Sequence, residues 1–196
     1  MGSPHLRAQF LRRVSYAAAG WALLYAAYRA YYGFGGTFGM FGVPASDETW
    51  RAINLVAAAL ILGAAALPLI ALRLWDRAVP RRALLAIAWV IAVGCVMHGI
   101  IDEVTRAMSL AGLLDILYPP GFWASLDRRA ADLQDIFFNE PWFIVEGLLW
   151  AAIAWIVLGP SDARRRWVAS AAVAVSLLVG IGLLSAFGII GRFVVG

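Results

Sequence analysis

Five runs of apolar residues recur along the chain, at 14–32, 52–72, 83–101, 141–158 and 168–190. Each is close to the roughly 20 residues that a helix needs to cross the hydrocarbon core of a bilayer. Arginines or loop residues separate them. The first run follows Arg7, Arg12 and Arg13, as the core of a signal peptide would, but it carries Tyr16, Trp21, Tyr25, Tyr28, Tyr31 and Tyr32. That aromatic content is wrong for a cleaved segment, and the run reads as a retained first helix. The expected fold is an all-α, polytopic membrane bundle of five transmembrane helices forming one domain over residues 1–196.

The third connection, between the third and fourth runs, is too long for a turn. After the chain-breaking Tyr118-Pro119-Pro120-Gly121, the residues Trp123, Leu126, Ala130, Leu133 and Phe137 recur at spacings of 3, 4, 3 and 4, with Asp127, Arg128, Asp132 and Asp135 elsewhere on the wheel. This spacing predicts a short amphipathic helix, either lying on the membrane interface or packed on the loop before it. Pro68 is expected to kink the second span, and Gly159-Pro160 to end the fourth. Gly182 and Ala186, four apart in the fifth span, mark a helix that packs closely within the bundle or against another protomer.

Composition fits a membrane protein: 63% of the residues are hydrophobic and only 14% charged, against roughly 25% charged in soluble domains, and the mean hydropathy is +0.80. The charges then set an orientation. Arg7, Arg12 and Arg13 precede the first run, Arg73, Arg77, Arg81 and Arg82 lie in the second connection and Arg164, Arg165 and Arg166 in the fourth. The alternate connections are acidic, the third carrying Asp102, Glu103, Asp115, Asp127, Asp132, Asp135 and Glu140 against Arg106, Arg128 and Arg129. Because short cytoplasmic loops hold the excess of basic residues, the expected topology is N-terminus cytoplasmic and C-terminus outside. The net charge of +4 is a topology signal, and nucleic acid is not an expected partner. All the basic residues besides histidine are arginine and alanine is abundant, which points to a GC-rich genome and a bacterial inner membrane.

Several chemistries are excluded by what is missing. A single cysteine, Cys95, rules out a disulfide, a CxxC pair and a cysteine-rich metal site. With no lysine there is neither a Schiff base nor a P-loop. His5 and His98 are expected on opposite sides of the membrane, so a bis-histidine haem and a histidine-rich di-iron site do not fit within one chain.

Ionisable groups inside spans are costly, and each is a candidate for function. They gather in one leaflet. Arg29 shares a face with Tyr25 and Tyr32 near the outer end of the first span, and Gly94, His98, Asp102 and Arg106 form an i, i+4 stripe at the outer end of the third. Glu146 lies five residues past Pro141 in the fourth, flanked by Trp142, Phe143, Leu149 and Trp150, and is expected to pair with Arg29 or His98 or to stay protonated. Asn54 opens the second span at the same level. The bland alternatives are that Arg29 snorkels to the headgroups, that Asp102, Glu103 and Arg106 are a solvated helix end, and that His98 is a structural hydrogen-bonding residue. The sharper one makes Glu146 and His98 the acid/base pair of a ligand site, with Arg29, Asp102, Trp142, Tyr32 and Asn54 as its binding residues. A metal centre of one imidazole and two carboxylates is the less favoured chemistry, since no second histidine and no HxxxH or ExxH spacing supports it. No metal is therefore assigned, and no cofactor is specified.

The motifs Tyr-Gly-Phe-Gly-Gly-Thr-Phe-Gly at 32–39, Pro44, His98-Gly99 and Asn139-Glu140-Pro141-Trp142-Phe143 resemble a bacterial family of small polytopic membrane proteins known as a domain of unknown function. The resemblance covers about residues 15 to 158, supports the helix count and implies no activity. A looser similarity, in Leu117-Tyr118-Pro119 and in Pro141-Trp142-Phe143 with Glu146, runs to emopamil-binding and sigma-2-receptor type proteins, which bind sterols and cationic amphiphiles and include a sterol isomerase. The glutamate spacing is shorter here than in that family. A translocator-protein match is excluded by the missing proline-tryptophan signature in the first loop.

The expected function is thus binding of an apolar or amphiphilic small molecule or lipid in an outer-leaflet polar pocket, with acid/base chemistry left open. Its alternative is a structural or accessory subunit that docks a membrane partner, or a second copy, through the fifth span. A transporter ranks third, because no inverted repeat is evident.

Overall fold

The computed structural model describes residues 4–74, 77–159 and 161–191. Pro160, expected with Gly159 to end the fourth span, lies outside them. The elements follow in the order α1 (Pro4–Gly33), β1 (Gly42–Pro44), α2 (Asp47–Leu74), α3 (Ala78–Leu110), β2 (Trp123–Leu126), α4 (Arg128–Gln134), a π-helical turn (Asp135–Asn139), α5 (Glu140–Leu158) and α6 (Asp162–Ala186). Four helices are long and apolar enough to cross a bilayer: Asp47–Leu74, Arg81–Leu110, Arg128–Leu158 and Asp162–Ala186. They mark a multi-pass membrane protein. Leu60, Leu62, Leu148, Val173 and Leu177 are all exposed on them, as lipid-facing side chains would be. The helix α1 is just as long but falls below them in hydropathy because of its tyrosines and arginines.

The helices pair off. Helix α1 lies along α2 and also contacts α5, α3 packs on α5 and α6, and α2 and α3 meet over only a few residues. The core holds Leu11 and Ala18 of α1, Ala88 and Ala92 of α3, and Trp150, Ile153, Ala154 and Val157 of α5. Two glycines let α3 and α5 approach. A Cβ on Gly147 would stand 3.0 Å from the Ala92 carbonyl, and one on Gly99 would stand 3.0 Å from the Glu140 carbonyl and 2.5 Å from Ile144.

The third connection differs from expectation. Trp123–Leu126 is a strand pairing antiparallel with Gly42–Pro44, tying the loop after α1 to the loop before α4. Of the apolar spacing there, Trp123 and Leu126 lie in this strand, Trp123 in a ring cluster with Phe41, Trp50 and Phe122, while Ala130 and Leu133 fall in α4 and Phe137 in the π-helical turn. The helix begins only at Arg128, where the Asp127 carboxylate accepts from the Ala130 N–H at 3.0 Å. It then continues through the π turn into α5, so no separate interfacial helix is formed. The cause is Pro141. A proline inside a helix has no N–H for the carbonyl four residues back, and widening the preceding turn accommodates the loss. Helix α2 runs unbroken through Pro68.

At the opposite end, the C-terminal carbonyls of α5 collect arginines from three elements. Arg7 donates to the Ile156 and Val157 carbonyls at 2.7 and 2.5 Å, Arg81 to Val157 at 3.0 Å and Arg164 to Trp155 at 2.8 Å. Cations at a helix C-terminus are stabilising. Burial and the nearby Arg81 and Arg164 push the pKa of the Arg7 guanidinium below its ordinary value. Gly182 of α6 is buried, with a Cβ position only 2.4 Å from Ile101 of α3, so its close packing is made within the chain.

Candidate functional site

The site is built by the π turn. In a regular α-helix residues five apart diverge by about 140° at 100° per residue, but in the π turn the Glu140 N–H bonds back to the Asp135 carbonyl, and Asp135 and Glu140 come onto one face. That face looks at the i, i+4 stripe of α3. Glu140 Oε2 lies 3.6 Å from His98 Nε2, and Asp102 Oδ2 lies 3.5 Å from His98 Nδ1. One turn further along α3, Arg106 forms ion pairs with Asp135 at 2.9 Å and Asp132 at 3.3 Å, and donates to the Tyr118 hydroxyl at 2.7 Å. Ser109 donates to the second Asp132 oxygen at 2.6 Å. Burial pushes the Tyr118 phenol above its ordinary value of 10.0, the Arg106 charge opposing the rise.

These groups are nearly dry: Asp132 is 2% exposed, Glu140 4%, Asp102 and Asp135 9% each. Buried charges require partners. Asp132 and Asp135 have Arg106. Asn139 steadies Asp135 by donating from Nδ2 at 2.7 Å, while its own Oδ1 and the Glu140 Oε2 are buried and accept no hydrogen bond from the described residues. The His98 ring is held edge-on by Phe143, with centroids 4.6 Å apart.

A cleft of about 520 Å³ opens in front of them. Its polar wall includes Arg29, His98, Asp102, Arg106, Asn139 and Glu140, and its apolar wall Ala57, Ile61 and Phe143. It runs between α2 and α3, where those helices barely touch. Arg29 reaches this cleft beside the Tyr25 phenol and also lines a smaller cavity with Tyr28, Tyr32, Trp50 and Trp123.

Of the residues singled out in the sequence, His98, Asp102 and Arg29 meet at the cleft. Glu146 does not. It accepts a 2.8 Å hydrogen bond from Trp150 Nε1 one turn further along α5, instead of pairing with Arg29 or His98, and the carboxylate facing His98 is Glu140. Trp142 turns to α1, its ring stacked on Trp21 at 4.1 Å while its carbonyl accepts from Trp21 Nε1 at 3.0 Å. Tyr32 donates to the Phe38 carbonyl at 3.2 Å and holds the glycine-rich loop, in which Gly35 and Gly39 have positive φ of 92° and 79°. Asn54 is fully buried and donates to the Trp50 carbonyl within α2 at 2.9 Å. Sequence reasoning passed over Asp135, Glu140 and Asn139 as site residues, placing Asp135 on the polar side of a separate amphipathic helix and Asn139-Glu140 at the opening of the fourth span. The signal was the Pro141 just after them, read as a helix start when the helix runs through it.

A family model for proteins of unknown function matches residues 22–150, most of the chain. The chain belongs to the DUF3995 family. The DUF3995 match takes in every cleft residue from Tyr25 to Phe143 and stops before α6. No curated protein and no solved structure matches the chain.

Proposed function

We propose that this DUF3995 protein binds the polar head of an apolar or amphiphilic small molecule, or of a lipid, in the cleft between α2 and α3. The observation that carries this reading is the two-sided lining of the cleft. Arg29, His98 and Glu140 stand at one side, and Ala57, Ile61 and Phe143 continue from them as an apolar wall. A molecule with a polar head and a hydrocarbon body satisfies both walls at once. The thin contact between α2 and α3 gives such a molecule an entry from the bilayer.

In this account α1 is also a span, five in all, with the N-terminus cytoplasmic, the C-terminus outside and the cleft in the outer leaflet of a bacterial inner membrane. Support comes from the convergence of Arg7, Arg81 and Arg164 at one end of α5, while Asp102, Asp132, Asp135 and Glu140 gather at the other. The basic end belongs on the cytoplasmic side. Helix α1 exposes Tyr16, Leu23 and Leu24, side chains suited to lipid contact. The small-residue stripe of the expected fifth span, now α6, is engaged at Gly182 by Ile101 of the same chain, which weakens the accessory-subunit alternative.

Native mass spectrometry of the protein extracted in a mild detergent tests the reading. A lipid or small amphiphile is expected on the wild type and is expected to be lost in Ile61→Trp, which fills the apolar wall without touching a polar group. A bare chain, or one carrying only another protein, contradicts the proposal and favours an accessory subunit.

A further inference from the structure

Beyond an amphiphile, the cleft presents an arrangement suited to a smaller ligand. His98, Asp102 and Glu140 each offer one donor atom, and the three atoms lie within 4.8 Å of one another. We propose that His98, Asp102 and Glu140 bind one divalent transition-metal ion, with remaining coordination positions open to the cleft.

Geometry is the first argument. The separations of 3.5 and 3.6 Å between the imidazole nitrogens and the two carboxylates are too long for N–H···O hydrogen bonds, which run to about 3.2 Å. Either one, taken singly, is near the spacing between neighbouring ligands of a tetrahedral ion, about 3.4 Å for bonds near 2.1 Å. An ion takes only one imidazole nitrogen, and donor atoms taken one from each of the three residues all lie within 4.8 Å of one another.

The second argument is the unsatisfied oxygen. Glu140 is 96% buried by its 4% exposure, and its Oε2 faces His98 and accepts no hydrogen bond from the described residues. A buried carboxylate oxygen without a partner costs free energy unless a cation or proton meets it. Asn139 Oδ1, likewise buried and unpartnered, lines the same cleft. Charge is the third. Four acids, Asp102, Asp132, Asp135 and Glu140, gather with two guanidiniums, Arg106 and Arg29, which leaves an excess of two negative charges around one imidazole. A charge of +2 balances them. One nitrogen and two hard oxygens suit Zn²⁺, Mn²⁺ or Fe²⁺, not the softer ions that select sulfur. The ligands come from two helices held together by Gly99 and Gly147, which provides the rigidity that a preorganised site needs.

The inference shares the cleft with the reading above but does not require an amphiphile in it. The test loads detergent-solubilised full-length protein with Zn²⁺, removes the excess and measures metal per chain. About one Zn²⁺ per chain is expected in the wild type, in His5→Ala, which deletes the other histidine, and in Glu146→Gln and Ile61→Trp. His98→Ala and Glu140→Gln are expected to abolish retention. Should either variant lose its helical circular dichroism, Glu140→Asp and the visible spectrum of the wild type loaded with Co²⁺ decide, a d–d band expected for nitrogen and oxygen ligands and weakened in Glu140→Asp. Retention unchanged in His98→Ala and Glu140→Gln, or no ion held by folded wild type, overturns the proposal. Loss of the lipid in Ile61→Trp with metal intact separates the two claims.

Discussion

Glu140 and His98 face one another at 3.6 Å from α5 and α3, and the relationship exists because a π turn ends at the first and a glycine follows the second. Gly99 sets the approach. A Cβ there would strike Ile144 at 2.5 Å and the Glu140 carbonyl at 3.0 Å. Gly99→Val is therefore expected to push the helices apart, destabilise the protein by about 1–3 kcal/mol and lower retention of any cleft ligand. Thermal unfolding in detergent, followed by circular dichroism, checks the first effect. Gly63→Val, at a position with open space around it, is the control.

Arg106 is the counter-charge of the buried acids. Its removal would leave Asp132, 2% exposed, and Asp135, 9% exposed, without their cation. Arg106→Met is expected to cost about 3–5 kcal/mol, the usual penalty for breaking a buried ion pair from one side. Adding Asp132→Asn to Arg106→Met is expected to recover part of it. The thermal midpoints of the two single variants and the double variant test the coupling.

Alkaline stability should report on Tyr118. Its phenol is held above the ordinary value of 10.0, chiefly by burial, so the folded state favours the protonated form more than the unfolded chain does. The stability this contributes is present below about pH 10 and is lost as the pH climbs through the higher folded value. Tyr118→Phe, which cannot ionise, is expected to flatten the alkaline limb of a melting-temperature profile. A limb identical to that of the wild type contradicts the assignment.

How far the sequence carried the account depends on the element. Apolar runs located the long helices because lipid-facing and core-facing residues are both apolar, and length alone then marks a span. Their ends were harder to place: α3 continues to Leu110, nine residues past the apolar run, its last turns carrying Asp102, paired with His98 one turn back, and Arg106, paired with Asp132 and Asp135 of the next elements. The His98, Asp102, Arg106 stripe was legible from i, i+4 spacing. Glu140 was not, since its face is fixed by a π turn that shifts the helical register, and periodicity assumes the regular one. Glu146 was expected to pair with Arg29 or His98 or to stay protonated, but Trp150, four residues on, donates to it.

Gly182 and Gly180 offer a contrast within α6. The first is buried against Ile101, and the second has nothing within 4 Å of a Cβ. Gly182→Leu is expected to lower stability by about 1–3 kcal/mol through overpacking, while Gly180→Leu leaves it unchanged. Equal melting temperatures for the two variants would refute the close contact of α6 with α3.

The most direct test of the central claim maps where an amphiphile sits. A photoactivatable, fatty-acyl diazirine amphiphile, irradiated with the protein in bilayer nanodiscs and followed by peptide mass spectrometry, is expected to label the cleft-lining segments 57–61 and 94–98, with the label lost in Ile61→Trp. Labelling spread evenly over lipid-facing positions such as Leu148, Val173 and Leu177, and unchanged in Ile61→Trp, would contradict it.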